Sequence, residues 1–83
     1  MIFQNHSFNI ISSLSNILPE STIGEKIKKL RSSLGLTQLQ FAKQIKRGFG
    51  TVTKWEQELT TPNEATLNYI ISTYKLSEDY FKI

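Results

Sequence analysis

Three threonines that each lead into a run of apolar residues at helical spacing stand three residues before a Glu or Gln: Thr22 before Glu25, Thr37 before Gln40, and Thr61 before Glu64. This spacing is that of a capping box. The threonine hydroxyl accepts from a first-turn amide, and the longer side chain reaches back to the threonine's own N–H. Each box therefore predicts the start of a helix. Eighty-three residues make one domain at most. Three helix starts and almost no strand alternation make that domain all-α.

The apolar residues behind each box keep helical time. Ile23, Ile27, Leu30 and Leu34 fall four, three and four apart, and Gly35 is a C-terminal stop. After Thr37, the residues Phe41, Ala42 and Ile45 form the inner face of a second helix. After Thr61, Pro62 takes the first helical position, and Leu67, Ile70, Ile71 and Tyr74 form a buried face. Ser77 caps a final short turn, "EDYF". Between the second box and the third lies "KRGFGTVTKWEQ", residues 46–57. It has Val52 and Trp55 on one helical face, yet its entrance is Gly48-Phe49-Gly50, with no capping box. Glycine inside a first turn costs up to about 1 kcal/mol against alanine. A local rule is broken where the rest of the chain obeys it, and such places are often functional.

Residues 1–20 stand apart as an N-terminal extension, with residues 21–83 as the domain. Phe8, Ile11 and Ser15, with Leu14 and Leu18, make a weak amphipathic pattern that Pro19 ends. It fits a short extra helix or a disordered arm.

Charge is unevenly placed. Lys26, Lys28, Lys29, Arg31, Lys43, Lys46, Arg47 and Lys54 give residues 26–54 eight cations and no acid. Residues 55–83 carry a net −3. The basic stretch is the footprint of a polyanion binder or a solvated basic surface.

Enzyme signatures are poor. The close carboxylate pairs, Glu56 with Glu58 and Glu78 with Asp79, stand beside no nucleophile. There is no cysteine, and the single His6 cannot hold a metal alone, so no cofactor and no metal are expected. "GFG" lacks the preceding strand and the third glycine or Lys-Ser/Thr pair of a nucleotide loop. No apolar run approaches the roughly 18 residues of a membrane span. The N-terminus has no basic n-region, so no signal peptide is expected and the cytoplasm is the expected compartment.

The stronger signal runs from Thr37 to Glu56: a capped helix, a tight turn, then a short helix. Ala42 is small where two helices must approach, and Ile45, Val52 and Trp55 close the corner. That is the construction of a helix-turn-helix, whose second helix can enter a major groove about 12 Å wide. From about Ile23 to Phe81 the chain resembles the phage-repressor-like helix-turn-helix domains, the Cro and XRE-type regulators. The resemblance rests on "IGEKIKKLRSSLGLTQLQFAKQI", "TVTKWEQ", "TPNEATLNYII" and "LSEDYF". It implies a five-helix all-α fold and double-stranded DNA as partner, usually bound by a homodimer. No membrane and no small-molecule substrate are implied.

Carried over by position, Gln38 is placed to grip a backbone phosphate at the start of helix 2. Phe49, Gly50 and Lys54 occupy positions that usually face base edges, with Thr51 and Thr53 flanking them. Arg31 matches a helix 1 arginine that pairs with a glutamate matching Glu56. Lys43, Lys46 and Arg47 are the expected phosphate contacts. The departures are Lys46 where glycine is usual, Arg47 where an apolar residue is usual, and Gly48 where Ser or Thr often caps. Phe49 can pack on a thymine methyl or fold inward as core. The resulting expectation is a sequence-specific DNA-binding regulator, a repressor. The alternative is a protein-interaction module, such as an antitoxin or adaptor, on the same fold.

Overall fold

A computed structural model describes residues 18–82. Among them are four helices: α1 Ile23–Ser33, α2 Gln38–Gln44, α3 Phe49–Glu56 and α4 Glu64–Tyr74. No strand forms among the described residues. The N-terminal helix expected before Pro19 falls on residues outside the described ones, apart from Leu18 to Ser21, which are not helical.

Two capping boxes close as the spacing predicts. Thr22 Oγ1 accepts from Glu25 N at 3.1 Å, and Thr22 N donates to Glu25 Oε1 at 3.2 Å. Thr37 Oγ1 accepts from Gln40 N at 3.1 Å, and Thr37 N donates to Gln40 Oε1 at 2.8 Å. The third does not form. Asn63, not Thr61, caps α4, its Oδ1 accepting from Thr66 N at 2.8 Å. Pro62 is buried just outside the helix instead of opening it. Thr61 and Asn63 are both good caps, and the Asn63 frame lets Pro62 be buried. The expected fifth helix closes only as a turn: Tyr80 N donates to Ser77 O and Lys82 N to Asp79 O, each at 3.0 Å.

All four helices end alike. The residue after the last turn is left-handed: Gly35 (φ 70°), Lys46 (φ 58°), Glu58 (φ 63°) and Lys75 (φ 54°). In each case the next amide reaches back five residues, from Leu36 to Arg31 O, Arg47 to Ala42 O, Leu59 to Lys54 O and Leu76 to Ile71 O. These bonds satisfy the carbonyls that a helix end leaves over. Glycine is the usual occupant, so only Gly35 marks its stop in the sequence. Lys46 takes the conformation a glycine would take there.

The core is Ile27, Leu30, Phe41, Ala42, Ile45, Val52, Trp55, Ile70 and Phe81. Ile23, Leu67, Ile71 and Tyr74 pack against it half-buried. Leu34, expected on the inner stripe of α1, is 41% exposed because it sits at the C-cap, where the chain leaves the helix. Phe41 stacks on Tyr74 with ring centroids 5.9 Å apart. The Tyr74 hydroxyl donates to Gln44 Oε1 at 2.7 Å. Burial raises its pKa above the usual phenol value, with Tyr69 adding to the shift.

One contact decides how closely α3 seats on α1. A Cβ added at Gly24 would overlap the backbone oxygen of Trp55. Only a glycine at this point lets the end of α3 reach the start of α1.

Candidate nucleic-acid interface

The turn between α2 and α3 is four residues, Ile45 to Gly48. Ile45 is fully buried and anchors it. Gly48 is the N-cap of α3 and makes no side-chain cap. The eight residues of α3 are held instead by tertiary contacts. Val52 and Trp55 are buried, at 0% and 4% exposure. Packed against both α1 and α2, the helix turns its other face outward. Gly50, Lys54 and Gln57 are exposed and Thr53 is partly so. Their spacing of three and four places them on one face. Gln57, the C-cap, extends that face and was not among the site residues drawn from the sequence.

A polar network stands behind this face. Arg31 Nε donates to Glu56 Oε2 at 2.7 Å and Nη2 to Glu56 Oε1 at 3.0 Å, a two-pronged pair between α1 and α3. Arg31 Nη1 donates to Leu36 O at 2.9 Å, tying the pair to the α1–α2 connection. The Glu56 side chain is only 4% exposed, so these partners stand where solvent would otherwise surround its carboxylate. Gln38 Nε2 donates to Glu56 Oε1 at 3.0 Å. Thr53 Oγ1 lies 3.1 Å from Gln38 Oε1 and 3.0 Å from Phe49 O, so its one proton is shared between two acceptors. The network sets the Gln38 amide: its NH2 must face the carboxylate and its oxygen the hydroxyl. One Nε2 proton of Gln38 is left for a ligand.

The eight cations divide into two groups. Lys26 and Lys29 pair with Glu20 at 3.4 and 2.7 Å. The Lys29 hydrogen bond, its charge and then Lys26 hold the Glu20 carboxyl below its usual pKa. Lys26 also stands over the Tyr80 ring, 5.8 Å from its centroid. Arg31 belongs to Glu56. Arg47 is turned back onto the protein: Nη1 donates to Lys46 O at 3.1 Å and Nη2 to Thr66 Oγ1 at 3.3 Å. Its guanidinium lies 5.6 Å from the Tyr69 ring centroid. It clamps the turn to α4, a role that no local motif signals. Lys28, Lys43, Lys46 and Lys54 are exposed, and no acidic or hydrogen-bonding partner engages them among the described residues. Three of these four lie in α2, the turn and α3.

Phe49, the first residue of α3, is 51% exposed and lies outside the core. The inward alternative for its ring is therefore not taken. The helix begins at Phe49, not later near Thr51. Thr51 is exposed, and its hydroxyl sits near Gly48.

No group of three or more metal-ligating side chains occurs among the described residues. No helix among them is long and apolar enough to cross a membrane. Comparisons with curated proteins and with solved structures return no match. A helix-turn-helix family model matches residues 27–81, which enclose α2, the turn and α3 together with all nine core residues. By that span, well over half its length, the chain belongs to the DNA-binding helix-turn-helix family of the Cro/C1 type, XRE-like.

Proposed function

We propose that this domain is a transcriptional regulator, a repressor, that binds double-stranded DNA sequence-specifically as a cytoplasmic homodimer with α3 in the major groove. One observation carries the reading. Three exposed cations stand on the helix-turn-helix itself with no partner among the described residues: Lys43 on α2, Lys46 in the turn and Lys54 on α3. Unpaired lysines around an exposed short helix suit a phosphate backbone on either side of a groove.

Roles follow from chemistry. Lys43 and Lys46 contact phosphates, with the remaining Gln38 proton and the first amides of α2 beside them. Lys54 donates to guanine O6 and N7. Thr51, with its hydroxyl uncommitted, adds a weaker base or phosphate contact. Arg31 and Glu56 form the brace that holds α1, α2 and α3 in register. Arg47, engaged with Thr66 and Tyr69, contributes charge near the site and no direct donor.

Titration against random duplex DNA at two salt concentrations tests the reading. Affinity should fall with a slope near 0.9 per phosphate neutralised. Absence of binding at low salt would sink it. Lys54→Ala should relax base preference, and Lys46→Ala should weaken all sequences alike. Equal effects would contradict the role assignment. The second reading, a protein-interaction module, is favoured by the exposed ring of Phe49. It predicts no salt-dependent DNA binding in the same titration.

A further inference from the structure

Gly50 is a glycine that the fold does not require. Among the described glycines only Gly35 has a positive φ, so Gly50 needs no left-handed freedom. A Cβ placed on Gly50 meets nothing within 4 Å. Glycine also disfavours the helix it sits in, relative to alanine. Gly24 shows the contrast, since its Cβ would strike the Trp55 carbonyl. What Gly50 offers is a bare backbone toward the outside, which permits close approach by a ligand.

Its neighbours say what kind of ligand. Phe49 presents a half-exposed ring beside it. Thr53, one turn on from both, has its hydroxyl proton engaged by Gln38 and the Phe49 carbonyl. It therefore has no donor to offer, only an acceptor lone pair and a methyl group. Apart from the Thr51 hydroxyl, the leading half of α3 thus presents no side-chain donor, and the first charged donor is Lys54. An apolar protein partner would suit the ring but not Lys43, Lys46 and Lys54 of the same helix-turn-helix, which are exposed and have no partner among the described residues. A polyanion suits the lysines, and the major-groove edge of DNA has one standard apolar feature, the C5 methyl of thymine.

The geometry points to Phe49 as a specificity-determining residue that reads thymine by its methyl group, with Gly50 leaving the room that lets the ring reach it. The inference rests on the DNA-binding reading and deepens it.

The test uses the full chain. A binding site is selected from a random duplex library, and each thymine in it is replaced in turn by deoxyuridine. The replacement removes the methyl and keeps every hydrogen bond of the pair. At one or two positions affinity should drop about fourfold, the worth of one buried methyl group. Phe49→Ala should bind the thymine and deoxyuridine sites equally while keeping its salt slope. Gly50→Ala should melt no lower than the parent protein yet lose affinity several-fold, a split that a purely structural glycine would not show. Salt-dependent binding with no deoxyuridine effect at any position overturns the inference and leaves the DNA reading standing. An undiminished deoxyuridine effect in Phe49→Ala overturns the assignment to Phe49. Absence of binding at low salt removes both readings together.

Discussion

The two helices of the helix-turn-helix are made differently. α2 is a locally specified helix: Thr37 and Gln40 bond each other's backbone at its entrance, within three residues of sequence. α3 has no such entrance. Gly48 provides no cap, Gly50 weakens the first turn, and the helix is held by distant residues. Glu56 reaches Arg31 across 25 positions, and the Trp55 carbonyl rests against Gly24. Their exits, by contrast, are the same, each through a left-handed non-glycine residue, Lys46 and Glu58. The difference lies where a ligand would meet the protein. A helix held from behind is free to carry residues in front that serve neither capping nor packing, and Phe49 and Gly50 are such residues.

The comparison breaks most sharply at the brace. Glu56→Ala leaves the Arg31 guanidinium without its carboxylate and Gln38 without its acceptor. Losing one partner of a buried pair should cost about 3 kcal/mol, read as a fall in the urea midpoint. Gly24→Ala should follow at about 2 kcal/mol, because the added methyl meets a backbone atom and the two helices must part. A stability within 0.5 kcal/mol of the parent would mean that α1 and α3 are not seated as closely as the Gly24 contact requires. Thr37→Ala acts on the local side of the comparison. It removes one cap and should cost about 1 kcal/mol, with hydrogen exchange quickening in α2 more than in α3.

Gly48→Ser is the smallest and the most pointed change. It gives α3 the cap that α2 has, with its hydroxyl in reach of the Thr51 amide. The Gly48 backbone, φ −73° and ψ 149°, already suits a serine, and an added Cβ stands 3.6 Å from Thr51 Oγ1. A gain of a few tenths of a kcal/mol is expected, or about 1–3 °C in melting temperature. A loss would mean that the Gly48 position is shaped by something other than capping.

Much of this was legible because much of it is local. The boxes at Thr22 and Thr37 act over three residues and formed in place. The stripes of α1 and α2 placed Ile27, Leu30, Phe41, Ala42 and Ile45 inside, and the pair Val52 and Trp55 marked the corner. The misreadings have a common cause. Thr61 and Asn63 offer equally good caps, and the start of α4 goes with where Pro62 is buried. Leu34 belongs to the stripe by spacing but lies where the chain has already turned away. The contacts of Arg47 with Thr66 and Tyr69, 19 and 22 positions on, are likewise signalled by no local rule. A signal for Gly24 did exist, since a glycine inside a helical pattern usually has a packing reason.

The order of residues alone makes this a small helical protein and sets where two of its helices begin, which apolar faces turn inward and which segment is basic. These follow from contacts three or four residues long, which any chain with this order of residues can make. Packing sets which cations are left without a partner among the described residues, which carboxylate is buried against Arg31, and how closely α3 sits on α1. Those outcomes depend on residues that the chain separates widely and the fold brings within hydrogen-bonding distance. For "KRGFGTVTKWEQ" the division is plain. Its local signals are weak because its helix is held from behind, and what holds it lies elsewhere in the chain.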